Sequence, residues 1–104
     1  MIAIEQTPVF RAWLDRLRDS VAQKHIAARI RRMSLGNFGD VKPVGGPAGG
    51  AVYELRIDYG PGYRLYFMRR GAALYLLLTG GDKGSQQRDI AAAQAMAEEI
   101  RGEK

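Results

Sequence analysis

The chain of 104 residues has no cysteine, a single histidine and no long apolar run. Lack of cysteine excludes a disulfide framework, a thiolate metal site and a cysteine nucleophile. A membrane-spanning helix needs roughly 20 apolar residues, and no stretch approaches that length. The first six residues, MIAIEQ, are too short and too polar for a signal peptide. We therefore expect one domain over residues 1–104, located in the cytoplasm.

Acidic residues are scarce in the body of the chain. Residues 7–88 contain fourteen Lys or Arg and six Asp or Glu, whereas the two ends together contain two basic and five acidic residues. The net charge is +5. A basic body is typical of proteins that meet a polyanion such as nucleic acid, or an acidic protein. The alternative explanation is that the net positive charge serves only to keep the protein soluble.

The N-terminal third predicts a strand followed by two helices. Residues 2–6 alternate weakly, as a short strand does. Thr7-Pro8 is typical of a helix start, with Thr as N-cap. The apolar stripe of this first helix is Phe10, Trp13, Leu14 and Leu17. Asp19-Ser20 caps a second helix that ends near Gly36, and its stripe is Ala22, Ile26, Ile30 and Met33.

The second helix has a basic exposed surface. Its members are Lys24, His25, Arg29, Arg31 and Arg32. This surface is either a solvated face or a phosphate-binding face. His25 lies between charged positions, so we interpret it as a surface residue and not as a metal ligand or base.

Glycine and proline dominate residues 37–50. A strand is predicted to start at Val41–Val44, and the Gly-Gly-Pro-Ala-Gly-Gly loop at 45–50 is predicted to be mobile and able to become ordered on binding.

Three strands follow, over Val52–Asp58, Tyr63–Met68 and Ala73–Thr79. The third is apolar throughout, as a strand covered on both faces is. Alternation in the first two places Tyr53, Leu55, Ile57, Tyr63, Leu65 and Phe67 over the core. The same alternation places Arg56, Arg64 and Tyr66 together on the opposite, outer surface.

A turn at Gly81–Ser85 precedes the last helix, which Ser85 is expected to cap and which runs to about Arg101. Lys83 at this helix end, with Arg56 and Arg64, suits a phosphate group, because guanidinium groups bind phosphate bidentately. Ordinary solvent contact is the alternative for strand arginines. The phosphate-loop spacing GxxxxGK[ST] is absent.

Several motifs, in this order along nearly the whole chain, resemble the RelE/ParE toxin superfamily of type II toxin–antitoxin modules. They are FRAWL (10–14), GNFGD (36–40), ELRI (54–57), GPGYRLYF (60–67), LTGGDK (78–83) and QQRDI (86–90). GPGYRLYF and GGDK followed by QxxDI are most similar to the HigB-like addiction module killer proteins, the phage Gp49-like branch.

The resemblance implies an α+β fold in the order β-α-α-β-β-β-α, with a mainly antiparallel sheet packed by helices. It implies a toxin that cuts mRNA on the ribosome without a metal or cofactor, held inactive by a helix-turn-helix antitoxin. In this family the RNA 2′-hydroxyl attacks the adjacent phosphate.

Residue roles follow from the resemblance. Arg64 matches a family arginine that holds the scissile phosphate, and Arg56 lies near a basic position on the preceding strand. Lys83 lies about where RelE-like enzymes carry an arginine that is credited with protonating the leaving oxygen. Tyr66 and Asp89 are the nearby candidates for proton transfer. We assign further RNA contacts to Lys42, Arg69 and Arg88.

The sequence departs from the family pattern in three respects. Glu54 stands near another basic position of RelE, and Gln87, Arg88 and Asp89 replace a tyrosine in the last helix. No histidine is available as a base, unlike in some HigB relatives. Two alternatives therefore stay open beside the nuclease: a ParE-like inhibitor of DNA gyrase, and an inactive relative that only binds the antitoxin.

Overall fold

The computed structural model describes residues 2–46 and 51–102. Its elements are β1 (Ala3–Gln6), α1 (Pro8–Arg16), α2 (Ser20–Ser34), β2 (Val41–Pro43), β3 (Val52–Ile57), β4 (Tyr63–Arg69), β5 (Leu74–Asp82) and α3 (Gln86–Gly102), with a 3-10 turn at Lys83–Ser85 before α3. The predicted α+β class is confirmed. Residues 47–50 of the predicted mobile loop lie outside the described residues.

The five strands form one sheet in the order β1-β5-β4-β3-β2. β1 runs parallel to β5, and the other three pairs are antiparallel. The element order implied by the family resemblance counted four strands; β2, which matches the strand start predicted at Val41–Val44, is the fifth. It spans only three residues at the sheet edge and ends at Pro43, so its sequence signal is short.

Helices α1 and α2 cover one face of the sheet. The core there contains Phe10, Ala22, Ile26, Met33, Leu55, Ile57, Tyr63, Leu65, Phe67 and Leu77, with Trp13, Leu14 and Ile30 packed against it. The predicted apolar stripes of both helices and of the first two long strands are therefore confirmed. Burial of these large apolar side chains is the main favourable term for this layer.

Helix α3 covers the opposite face, which corrects the prediction that this surface is an outer one. A second core contains Val52, Tyr66, Met68, Leu76, Leu78, Ala93 and Ala97. Tyr66 shares a face with Arg56 and Arg64, as predicted, but it is completely buried. Alternation along a strand assigns side chains to two faces, but it does not show whether a helix covers either face. Here the small side chains of Ala93 and Ala97 allow α3 to lie close to the sheet.

The starts of α1 and α2 follow the predicted capping chemistry. The hydroxyl of Thr7 accepts from Phe10 N at 3.0 Å and donates to Leu78 O at 2.7 Å, so the same cap joins α1 to β5. Asp19 accepts from the amides of Val21 and Ala22. His25 is exposed, as predicted, and stacks on Tyr59.

The end of β5 differs from its prediction. The strand continues to Asp82, because Gly80 and Gly81 pair with Leu65 and Arg64 of β4. Asp82 is the N-cap of the 3-10 turn that leads into α3, and its carboxylate accepts from Gly84 N at 2.8 Å. Ser85 instead donates to Asp89 Oδ2 at 2.5 Å.

Gly80 and Gly81 let helices approach the sheet where β5 crosses both cores. A Cβ atom on Gly80 would overlap the indole ring of Trp13, and one on Gly81 would overlap the carboxylate of Asp89. These glycines are therefore a packing requirement of the two-sided sheet. No helix in the described ranges is long and apolar enough to cross a membrane.

The Gly80→Ala substitution is expected to destabilise the fold by about 1–3 kcal/mol, because the ring of Trp13 must move out of the core. Thermal unfolding followed by circular dichroism measures this loss. Gly102→Ala is the matched control, since a Cβ atom there meets nothing within 4 Å. Equal melting temperatures for the two variants would contradict the packing argument.

Candidate functional site

Two arginines face each other across neighbouring strands at one end of the sheet. Arg56 of β3 and Arg64 of β4 are directly opposed in the antiparallel register. Like charges at such positions repel and destabilise a strand pair. The fold keeps this pair in place through separate contacts to each guanidinium group.

The buried carboxylate of Glu54 holds the side chain of Arg64 in place. Its side chain is 11% exposed, and Nη1 lies 3.6 Å from Oε1 of the fully buried Glu54. That separation is an ion pair, but it is too long for a hydrogen bond. In the low-dielectric surroundings the attraction is stronger than it would be in water. Glu54 therefore fixes Arg64 while leaving its hydrogen-bond donors available.

Glu54 is itself fixed by two donors on its other oxygen. Oε2 accepts from Tyr66 Oη at 3.0 Å and from Gln86 Nε2 at 2.9 Å. Since Gln86 is the first residue of α3, this carboxylate joins three elements: β3, β4 and α3. We call Glu54, Arg64, Tyr66 and Gln86 the Glu54 cluster. A buried charge needs such partners, because desolvation without them is costly.

Tyr66 belongs to the support of the site. Burial raises the pKa of its hydroxyl far above the ordinary value near 10, and the adjacent Glu54 carboxylate raises it further. The hydroxyl therefore stays protonated at physiological pH and donates a hydrogen bond to Glu54. With no exposed surface, the side chain is placed to hold Glu54 in position.

Arg56 is anchored by the loop between α2 and β2. Its Nη2 lies 3.2 Å from Asp40 Oδ1, and its amide donates to Asp40 O at 2.9 Å. Arg29 of α2 donates to the carbonyl oxygens of Arg56 and Phe38 at 2.8 and 3.1 Å. Arg29 is thus half-buried and structural, which corrects its predicted place on the exposed face of α2.

Arg56 and Arg64 line an open depression of about 290 Å³ with Asp40, Ile57, Asp58, Gly62 and Lys83. We call it the Arg56–Arg64 depression. Lys83 reaches it because the turn before β4 passes close by: a Cβ atom on Gly62 would lie 3.6 Å from Lys83 Cβ. Gly62 has φ +82°, a conformation that favours glycine.

Both guanidinium groups keep an unused donor. The Nε atoms of Arg56 and Arg64 are buried and have no hydrogen-bond partner among the described residues. Unpaired buried donors are uncommon in folded proteins, and functional sites are one of the places where they occur. An anion between the two arginines would relieve their mutual repulsion.

The remaining predicted site residues lie at different distances from this depression. Lys42 pairs with Glu54 in the β2–β3 register, 4.0 Å from Oε1, and is 46% exposed. Arg88 is 81% exposed on α3. Arg69 is not brought to the depression: it lies at the other end of β4, and it donates to the carbonyls of Gly71 and Ala72.

Sequence reasoning missed the part played by Glu54 and the acidic lining of the depression. Glu54 lies two residues before Arg56 on the same strand, so both side chains extend from the same face of the sheet. This shared face was the signal in the sequence for an ion pair between Glu54 and an arginine. Asp40 and Asp58 were not assigned any role. Asp89 is buried behind Gly81 and accepts from Ser85. Within residues 2–46 and 51–102, no three His, Asp or Glu side chains cluster closely enough to hold a metal ion.

The architecture, a five-stranded mostly antiparallel sheet with three helices, is compatible with a RelE-like fold. Residues 12–100 match the family described as Phage derived protein Gp49-like (DUF891), and the chain belongs to that family, which is related to toxin–antitoxin systems. It is also 43% identical over 99 residues to an uncharacterized protein of Haemophilus influenzae, covering 95% of this chain and 96% of the relative.

Loss of the Tyr66 hydroxyl has a pH-dependent consequence. Tyr66→Phe is expected to cost about 1–3 kcal/mol near pH 7, because Glu54 loses a buried donor. The folded-state pKa of Tyr66 is raised, so the stability that it contributes is complete below pH 10 and is lost as the pH rises towards the folded-state value. The difference in unfolding free energy between wild type and Tyr66→Phe should therefore shrink above pH 10.

Urea unfolding at a series of pH values measures this difference. Tyr59 and Tyr63 are present in both proteins, so their own titration cancels in the comparison. A difference that stays constant between pH 7 and pH 12 would show that the hydroxyl of Tyr66 does not titrate as the buried partner of Glu54.

Proposed function

We propose that this chain is the toxin of a type II toxin–antitoxin module and acts as a ribosome-dependent mRNA endonuclease. The observation that carries the proposal is the pair of opposed arginines, Arg56 and Arg64, each with an unpartnered buried Nε. A phosphodiester is an anion of suitable size and geometry for two guanidinium groups. Membership of a toxin–antitoxin-related family supports the same function.

The proposed reaction is an internal transfer within RNA and uses neither metal nor cofactor. The 2′-oxygen attacks the neighbouring phosphorus and forms a new O–P bond as the bond to the 5′-oxygen breaks. The 2′-hydroxyl proton passes to a base, and the departing 5′-oxygen receives a proton. The products are a 2′,3′-cyclic phosphate and a 5′-hydroxyl end.

Arg64 and Arg56 stabilise the charge that develops on the phosphate oxygens in this step. Because Glu54 and Asp40 already fix the two side chains, little reorganisation is needed when the charge appears. Lys83, at the rim of the depression, has an ammonium group that can protonate the leaving oxygen.

The proton acceptor is best sought among the carboxylates that line the depression. Tyr66 and Asp89 are buried, and Asp40 is paired with Arg56. Asp58 is exposed, lines the depression, and forms no ion pair with any described residue. We therefore place the general base at Asp58.

The proposed partners are mRNA on the ribosome and a helix-turn-helix antitoxin, all in the cytoplasm. Lys42 lies next to the Glu54 cluster and can extend the phosphate contacts beyond the depression. Arg88 offers an exposed cation near the start of α3. Arg69, already bonded to its own turn, remains only a candidate for a separate RNA contact.

Arg64→Ala is expected to abolish growth arrest and mRNA cleavage, because the scissile phosphate loses its most buried cation. Primer extension across abundant transcripts, after brief expression without antitoxin, would reveal new 5′ ends inside translated regions for the wild type. We expect a loss of cleavage of at least about 100-fold, the scale of removing one donor to a developing oxyanion.

Arg70→Ala is the matched control, since Arg70 is an exposed arginine at the turn after β4, away from the depression. It should cleave as the wild type does. Asp58→Asn in the same assay tests the proposed base and should slow cleavage at least about 100-fold. Growth arrest with intact transcripts would overturn the nuclease and favour the gyrase alternative. Absence of any arrest would favour the inactive relative.

A further inference from the structure

Helices α1 and α2 leave a pocket open on their face of the sheet. Its volume is about 250 Å³, and its lining is mostly aromatic: Phe38, Val41, Tyr53, Phe67, Arg69 and Tyr75. We call it the aromatic pocket. Its residues come from the loop after α2 and from the four neighbouring strands β2 to β5. Pockets for small organic ligands measure roughly 300–1,000 Å³, so this one suits a single small ring system.

The aromatic rings are ordered around Phe67. Its ring centroid lies 5.5 Å from those of Tyr53 and Tyr75 and 5.9 Å from that of Phe38. Tyr53 stacks on Phe67, whereas Tyr75 meets the same ring edge-on. Aromatic pairs prefer these separations and orientations. Phe67 is buried and the other three rings are half-buried, so the pocket presents ring surfaces whose positions are already fixed.

Arg69 adds a positive charge with a fixed position. Its Nε donates to Gly71 O at 3.0 Å, and its Nη2 donates to Ala72 O at 2.9 Å. These neutral carbonyl oxygens restrain the guanidinium group without cancelling its charge, and Arg69 forms no ion pair with any described residue. Because the side chain is exposed, its charge is accessible to an anion at the pocket.

Two phenol hydroxyls complete the lining. Tyr53 and Tyr75 both line the pocket, and neither hydroxyl forms a hydrogen bond with a described residue. Tyr75 is the register partner of Arg69, and Tyr53 is the register partner of Phe67. A tyrosine hydroxyl both donates and accepts, so these two groups can bind the polar edge of a planar ring.

We propose that the aromatic pocket binds one nucleotide, with its base among the rings of Phe38, Tyr53 and Tyr75 and its phosphate on Arg69. Every base has a π face that stacks on aromatic side chains, and its edge carries hydrogen-bond donors and acceptors. The phosphate supplies the anion that the charge of Arg69 lacks.

The nucleotide belongs to the RNA substrate, at a distance from the scissile phosphate, and this part of the proposal rests on the proposed function. Tyr53 precedes Arg56 by three residues on β3, which is about 10 Å along a strand, and an odd spacing places the two side chains on opposite faces. The aromatic pocket is therefore separate from the Arg56–Arg64 depression. It holds the RNA without touching the bond that breaks.

A side chain of a protein partner meets this lining less completely. A phenylalanine ring would fill the pocket, but it would leave the hydroxyls of Tyr53 and Tyr75 and the charge of Arg69 without partners. A nucleotide supplies the planar ring, the polar edge and the anion in one ligand.

The first probe is 5′-AMP, titrated into the full chain and observed by ¹H NMR at its adenine H2 and H8 protons. Stacking on aromatic rings should move both signals upfield. Tyr53→Leu keeps an apolar side chain but removes a ring, so it should weaken binding at least about tenfold. Arg69→Gln should also weaken binding. Arg70→Gln is its matched control, because Arg70 is exposed at the next position and outside the pocket lining, and it should bind as the wild type does.

A second probe distinguishes an RNA strand from a free nucleotide. It is a fluorescein-labelled hexamer of 2′-O-methyladenosine, which has no free 2′-hydroxyl and cannot be cleaved, and its binding is measured by anisotropy. Tyr53→Leu should again weaken binding at least about tenfold. Arg69→Gln should reduce the slope of log affinity against log salt by about 0.7, the share of one phosphate contact. Circular dichroism checks the fold, and Arg69→Gln decides the matter if Tyr53→Leu does not fold.

Cleavage kinetics separate failure of this proposal from failure of the proposed function. Tyr53→Leu should raise KM for RNA and leave kcat unchanged, whereas Arg64→Ala should lose kcat. Arg64→Ala should still shift the AMP signals upfield. A protein that binds both probes through Tyr53 but leaves RNA intact would contradict the nuclease and not the nucleotide pocket.

Equal AMP shifts in the wild type, Tyr53→Leu and Arg69→Gln would overturn the proposal. Binding of AMP through Tyr53, with no effect of either variant on the hexamer, would overturn its assignment to RNA and identify a site for a free nucleotide. Binding of the peptide N-acetyl-Asp-Phe-amide that Tyr53→Leu abolishes, with no shift of AMP, would identify the pocket as an anchor for a partner protein instead.

Discussion

The buried carboxylate of Glu54 is the contact on which the rest of the candidate site depends. It joins β3 to β4 through Tyr66, joins the sheet to α3 through Gln86, and holds Arg64 at 3.6 Å. A single buried charge with these partners connects the packing of the second core to the position of a cation at the surface. Removal of either hydrogen-bond donor would leave that charge under-solvated, so the fold and the site are stabilised by the same contacts.

The two guanidinium groups of the site repel each other, and the fold does not remove this repulsion. Arg56 and Arg64 are opposed in the register, and each is restrained by a different carboxylate, Asp40 or Glu54. Neither carboxylate reaches the Nε donors, which stay unpaired. An anion that binds both arginines would therefore gain the relief of this repulsion in addition to its own hydrogen bonds.

Much of the fold was predictable because local chemistry agrees with tertiary packing. Thr7 and Asp19 are the N-caps of α1 and α2, a position that threonine and aspartate favour. The period-two pattern of apolar residues assigned the two faces of β3 and β4 correctly. The covering of Tyr66 by α3 was not predictable, since alternation does not reveal what lies above a face. Arg29 was misplaced for a related reason: its partners, the carbonyls of Phe38 and Arg56, are contacts with a loop and a distant strand. Glu54 was noticed only as a departure from a family pattern, because its partners come from β4 and α3.

The most direct test of the account observes the arginine Nε–H groups themselves by ¹H–¹⁵N NMR. A short RNA with hydrogen in place of its central 2′-hydroxyl would be titrated into the wild-type protein, so that binding proceeds without cleavage. The Nε–H signals of Arg56 and Arg64 are expected to shift together, while that of Arg70 stays in place. Shifts at Arg70 and other exposed arginines, with Arg56 and Arg64 unchanged, would contradict the assignment of the phosphate site to the Arg56–Arg64 depression.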